Sequence, residues 1–200
     1  DGLTLTSVGA ITIGDAAADT LTLSSGDVTI TSTGAGATGN ITINATVTGA
    51  QNLAVNTAGT TAFNGPVGTP AALLSVTTDA AGTTTITGGA VTTTANQTYN
   101  DPVTLGAGTT LTAGGNLVLS STLVGNFDLT LAITGSSTFT GAVGGAAAGT
   151  AIGDGTGAAI TINSTGATEF QSTVNTASGI NQAVGAGTVT FRDNVTIAAG

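Results

Sequence analysis

An all-β fold, specifically a right-handed parallel β-helix (β-solenoid), is what this sequence predicts. Short period-two alternations of branched aliphatic residues with threonine run from one end of the chain to the other. Clusters of Gly, Asn, Asp and Ser interrupt them at roughly seven- to twelve-residue intervals. Only six of the 200 residues are aromatic. Tandem antiparallel β-sandwiches are the competing architecture. Two sandwiches of about 100 residues would each enclose a core about 10 Å thick, usually around an aromatic anchor, and three aromatic residues per domain are thin material for that. A solenoid needs fewer, because each coil rests on the one before and a narrow interior fills with Val, Ile, Leu and Ala.

In chain order the alternations are Leu3-Thr4-Leu5, Ile11-Thr12-Ile13, Leu21-Thr22-Leu23, Val28-Thr29-Ile30, Ile41-Thr42-Ile43 and Leu53-Ala54-Val55. They continue as Val103-Thr104-Leu105, Leu117-Val118-Leu119, Leu129-Thr130-Leu131, Ile160-Thr161-Ile162 and Val195-Thr196-Ile197. In each, two branched aliphatic side chains share a face and the middle residue points the other way. Turns are expected at Gly34-Ala35-Gly36, Asn56 to Gly59, Gly88-Gly89, Gly114-Gly115-Asn116 and Gly153-Asp154-Gly155. The Ala-rich stretches Asp15 to Asp19 and Gly144 to Ala151 are too short and too closely flanked by glycine for a stable helix, and read as loops. Coils of roughly 20 to 25 residues, about 4.8 Å apart, give eight to ten coils and a rod of roughly 40 to 50 Å. Residues 1–200 therefore read as a single solenoid segment.

An internal repeat supports this. Residues 46–67 and 122–143 align without a gap at an offset of 76. A shorter signature, aromatic-x-small-x-Val, occurs five times: Phe63 with Val67, Tyr99 with Val103, Phe139 with Val143, Phe170 with Val174 and Phe191 with Val195. If the signature lies along one strand, its three positions share a face, which suits a ring packed over a small neighbour in the core. The reading of these rings as a sugar-stacking ladder is the weaker one. The signature's starts are 36, 40, 31 and 21 residues apart, so either the coils vary in length or the signature marks different faces.

The run Gln97 to Gly106 with Thr109 to Thr112, together with the two repeated segments, resembles the repeats of large bacterial surface proteins of the filamentous-haemagglutinin or autotransporter-adhesin type. The likeness covers about residues 46–200. It implies a secreted β-helical shaft serving adhesion, biofilm matrix or fibre formation. The Asn-Pro-containing secretion motifs of such proteins are absent from this sequence.

Composition removes most chemistry. The chain has no Cys, His, Met, Trp or Lys; one Arg, Arg192, faces ten acids for a net charge of −9. Zinc sites of Cys and His, Ser/His/Asp and Cys/His nucleophile systems, and Schiff-base lysines all need residues that are missing. One cation cannot neutralise a row of phosphates, so a nucleic-acid partner is not expected. No apolar run approaches the roughly 18 residues of a membrane helix, and membrane insertion is not expected. The Thr-, Gly-, Ala- and Asn-rich, Lys-free composition points to an extracellular or cell-surface location, and the first residues read as an excerpt from a longer chain.

The acids are the remaining candidates. No pair of carboxylates has the pattern of a β-helical glycosidase, and no catalytic residue or organic cofactor is expected. Calcium suits oxygen-rich turns, with Asp15, Asp19, Asp101 and Asp154 as the candidate ligands, although a turn-forming role is the stronger reading of each. Thr-x-Thr pairs do not recur at a coil length, which argues against ice binding. The Asn-x-Thr sequons at Asn40, Asn44, Asn96, Asn163 and Asn194 follow from a Thr-rich composition.

What is left is a non-enzymatic structural role: a shaft or fibre subunit joined end to end to copies of itself, or continuing into a longer chain. Residues 1–13 and 186–199 read as ordinary strands, with no capping helix and no lysine to guard an edge. The alternative is an adhesin module that binds glycans or a host surface.

Overall fold

The computed structural model describes residues 2–183 and 185–198. It is a parallel β-solenoid of about nine coils with three sheets as its sides. The first sheet has nine strands: Leu3–Ser7, Val28–Ala35, Asn52–Ala58, Ser75–Thr78, Gln97–Tyr99, Leu117–Leu119, Ser137–Phe139, Thr168–Phe170 and Val189–Phe191. The second side stacks Ile11–Ile13, Ile41–Ile43, Thr60–Phe63, Thr83–Ile86, Val103–Leu105 and Leu123–Val124, then Val143 through isolated bridges, then Val174–Thr176 and Val195–Ile197. The third stacks Thr20–Thr22, Thr46–Thr48, Val67 through isolated bridges, Ala90–Thr93, Thr109–Ala113, Leu129–Ile133, Ala158–Ile162 and Gly179–Gln182. Among the described residues there is no α-helix, only a single 3-10 turn at Gly36–Gly39.

Every strand pair is parallel. In the first sheet the register partners Leu3, Val28, Leu53, Val76, Gln97, Leu117, Ser137, Thr168 and Val189 advance by 25, 25, 23, 21, 20, 20, 31 and 21 residues. The step of 31 contains the excursion at residues 144–157, which leaves the corner between the second and third sides and returns Ile152, fully buried, to the interior.

Alternation places Val, Leu and Ile inside and Thr outside, as period-two strands require. The buried cluster runs continuously from Ile11 to Val174. In the first sheet one inward column carries Tyr99, Leu119, Phe139, Phe170 and Phe191 in register. Because parallel strands lie about 4.8 Å apart, rings in register must stack. Phe139 and Phe170 do so at 4.7 Å, and Phe170 and Phe191 at 5.0 Å.

The expectation that the aromatic signature lies along one strand is corrected. Tyr99 ends a first-side strand and Val103 begins a second-side strand, so the small middle residue sits at the bend. Phe170 with Val174 and Phe191 with Val195 turn the same corner, and Phe139 with Val143 does so as well. Phe63 and Val67 turn the next corner, from second side to third. Uneven spacing thus has both anticipated causes: coils of different length and a signature placed on two different corners. Phe63, Tyr99, Phe139 and Phe170 are buried with Val67, Val103, Val143 and Val174. The last pair is not: Phe191 is 37% and Val195 41% exposed, since among the described residues no coil covers the ninth.

The repeated segments show the same displacement. Residues 52–58 of the first copy form a first-side strand, whereas their counterparts at the offset of 76 fall in the third-side strand Leu129–Ile133. The long side of the triangle migrates accordingly. First-side strands of 5, 8 and 7 residues in coils one to three shorten to 3 from coil five onward. Third-side strands of 3 residues in coils one and two lengthen to 5 in coils five to seven. In coil four all three sides have 4 residues.

Candidate functional site

Asp101 is the one candidate carboxylate that the fold takes inside; its exposure is 2%. Tyr99 before it and Val103 after it belong to different sheets, so Asp101 occupies the bend and turns into the corner of the preceding coil. There Thr78 donates to Oδ1 at 2.7 Å, and the Thr84 hydroxyl lies 3.0 Å from Oδ1 and 2.8 Å from Oδ2. The neighbouring polar groups are also engaged. Gln97 Nε2 donates to the carbonyls of Val91 and Thr112 at 3.1 and 2.8 Å, and the Tyr99 hydroxyl donates to Gln97 Oε1 at 3.2 Å. This buried group joins coils four and five. Burial pushes the Asp101 carboxyl above the usual carboxylate range against the opposing pull of the Thr78 and Thr84 hydroxyls, with Asp79 nearby adding to the rise.

A raised carboxyl pKa means that the native state holds its proton more tightly than the unfolded chain does. Its contribution to stability therefore falls as pH rises from the unfolded value through the folded one. Asp101→Asn removes the buried charge, and its amide can both accept from and donate to the two threonines. The variant is expected to be at least as stable as the parent at pH 7, with that advantage shrinking towards pH 4. Melting temperatures of both proteins across pH 4–8 check this; parallel profiles would refute it.

The other three candidates lie on the surface. Asp19 Oδ2 accepts the amides of Asp15 and Ala16 at 2.8 and 3.2 Å, closing a tight loop. Those amides, Asp15 first, hold its carboxyl below the usual range. Asp15 is exposed beside it. Asp154 Oδ1 accepts the hydroxyl and the amide of Thr156 at 2.7 and 2.8 Å, and its carboxyl is lowered for that reason. Asp19, Asp101 and Asp154 each accept hydrogen bonds from neighbouring donors. Among the described residues no three His, Cys, Asp or Glu side chains come together as a metal site. In the structure Asp19 and Asp154 close turns and Asp101 fills a corner.

Two features were not read from the sequence. At the corner between third and first sides, a polar column links successive coils. Asn52 donates to Asp27 Oδ1 at 2.8 Å, the Asn116 amide to Asn96 Oδ1 at 2.8 Å, and the Ser136 amide to Asn116 Oδ1 at 2.9 Å. The sequon residues Asn40 and Asn96 both serve such bonds, Asn40 Oδ1 accepting the Thr60 amide at 2.9 Å. The second feature is an outward file along the first sheet: Thr4, Thr29, Ala54, Thr77, Thr98, Val118, Thr138, Glu169 and Thr190. Coil steps between 20 and 31 residues conceal this file from any fixed-period search. Ala54, Val118 and Glu169 break it, so no more than two threonines are adjacent.

The remaining distinctive surfaces are the two ends. At one, Leu3, Leu5 and Val8 are 61%, 42% and 86% exposed; at the other, Phe191, Val195 and Ile197 are 37%, 41% and 53% exposed. Among the described residues no coil covers the inward-facing positions Leu3, Leu5, Phe191, Val195 and Ile197. Arg192 is paired with Glu169 at the second of these ends. No protein-family model matches this chain, and no curated protein or solved structure matches it significantly.

Proposed function

We propose that the chain is a non-enzymatic, extracellular structural segment: a β-solenoid shaft or fibre subunit extended end to end, of the kind found in large bacterial surface filaments or biofilm matrix. The observation that carries this reading is the unbroken stack of about nine parallel coils around one continuous aliphatic interior. Each coil pairs lengthwise with its neighbours, which is how a solenoid builds a shaft. The arrangement of the carboxylates supports a structural role as well, since the most buried one is held by threonine hydroxyls within the coil stack. Strength along the axis comes from lengthwise backbone pairing, ring stacking and the Asn and Ser corner column. Purified 200-residue protein is expected to form oligomers or fibres as its concentration rises, seen by light scattering and electron microscopy. A monomer at all concentrations would overturn end-to-end stacking by separate copies.

A further inference from the structure

A Thr-rich composition generates Asn-x-Thr sequons, but the fold decides which of the five an enzyme can read. A transferase has to grip both the asparagine carboxamide and the threonine hydroxyl two residues on, and the attached sugar is bulky and needs open surface. Four of the sequons run into strands: Asn40 into Ile41–Ile43, Asn44 into Thr46–Thr48, Asn96 into Gln97–Tyr99 and Asn194 into Val195–Ile197. The first three of those strands are paired with a coil on either side. Their carboxamides are engaged as well. Asn40 Oδ1 accepts the Thr60 amide at 2.9 Å, and Asn96 Oδ1 accepts the Asn116 amide at 2.8 Å. Asn44 Nδ2 donates to the Gly14 carbonyl at 3.0 Å while its Oδ1 accepts from Asn64 at 2.8 Å.

Asn163 stands apart. The third-side strand of coil seven ends at Ile162 and the next strand begins at Thr168, so Asn163-Ser164-Thr165 is the one sequon with no residue in a strand. Local chemistry ends the strand there: the Ile133 amide, from the coil below, donates to the Ser164 hydroxyl at 3.1 Å, a side-chain bond competing with the ladder. Ser164 turns inward and is fully buried. Alternation then turns both of its neighbours outward, and Asn163 and Thr165 are exposed. Among the described residues no hydrogen bond ties down the Asn163 carboxamide, and the Thr165 hydroxyl makes only a long contact, 3.4 Å, to the Thr134 carbonyl. One step past the register pair Leu131 and Ile162, the outward neighbour of Asn163 in the coil below is Ala132, whose methyl group leaves room for a sugar.

We propose that Asn163 is an N-glycosylation site of the folded chain, accepting a hexose from a sugar nucleotide through a transferase that reads Asn-x-Thr. Asn163 Nδ2 bonds to the anomeric carbon of the sugar as the bond from that carbon to the nucleoside diphosphate breaks. The diphosphate leaves with the electron pair, and one amide proton passes to a base on the transferase. The sugar then stands off the corner between third and first sides, and the lengthwise pairing of coil seven is untouched. This modification goes beyond the structural role and does not depend on end-to-end assembly.

The test uses the full chain carrying Asn194→Gln, which leaves the sequons at Asn40, Asn44, Asn96 and Asn163. Folded protein is incubated with UDP-glucose and a soluble Asn-x-Thr transferase, and the sites are mapped by mass spectrometry. One hexose at Asn163 and none at the other three is expected. Asn163→Gln is expected to abolish uptake without moving the melting curve. Short peptides bearing each of the four sequons are expected to be labelled alike, which assigns the selection to the fold. An unlabelled Asn163 in the folded protein, labelling of Asn40, Asn44 or Asn96 to the same extent, or the same selection already present among the peptides overturns the inference.

Discussion

Phe170→Ala is expected to destabilise the fold by about 3–5 kcal/mol, the range for removing a large buried aromatic side chain. Phe170 is fully buried and is the middle ring of three, stacked at 4.7 Å on Phe139 below and 5.0 Å on Phe191 above. Its loss removes both stacks and leaves a cavity that the neighbouring coils cannot close without breaking register. Since a solenoid's stability is close to a sum of nearest-neighbour terms, the damage concentrates where coil eight meets coils seven and nine. Urea or thermal unfolding measures it, and Phe191→Ala, at a ring already 37% exposed, is expected to cost less. Equal losses at the two positions, or a loss below about 1 kcal/mol at Phe170, would contradict this account of the core.

Gly82→Ala should have an effect of similar size through the backbone. Gly82 has φ +75°, a left-handed conformation that costs a non-glycine residue about 1–2 kcal/mol. In addition, an alanine Cβ built there runs into the carbonyl oxygen of Gly59 in the coil below. Backbone on both sides of the overlap leaves nothing flexible to move, and overpacking adds a further 1–3 kcal/mol or so. Gly36 in the same corner provides the control: its φ is +54° but an added Cβ meets nothing within 4 Å. Gly36→Ala is therefore expected to carry the conformational cost alone, and the difference between the two melting curves isolates the steric part. Identical curves would show that the coils do not approach as closely at that corner as the fold requires.

Periodicity made the fold class legible. Alternations such as Ile41-Thr42-Ile43 fix which side chains face inward, and scarce aromatics favour a slender interior over a thick one. The corners were harder to read. Asp101 resembled other turn acids in sequence, because burial at a bend depends on the hydroxyls of Thr78 and Thr84, which lie 23 and 17 residues earlier. Coils of unequal length likewise hid the Asp27–Asn52 and Asn96–Asn116–Ser136 contacts, which exist only once the register is known. The sense of the aromatic signature was mistaken for a related reason. A small residue between a ring and a valine reads as strand, yet a bend between two sheets also needs a small or inward-turned residue there. Phe191 and Val195 carry the pattern of buried residues but lie where covering atoms are lacking.

The position of Tyr99 has an optical consequence. The chain has one tyrosine and no tryptophan, so its tyrosine absorbance band and tyrosine emission originate from the fifth of about nine coils. Burial, with Asp101 adding to it, drives the phenol's ionisation to a higher pH than usual. A fluorescence trace therefore watches the midpoint of the rod, whereas far-ultraviolet dichroism averages over its length. Where the two signals separate on heating, fraying has started at the tips; where they coincide, the whole column melts as one unit.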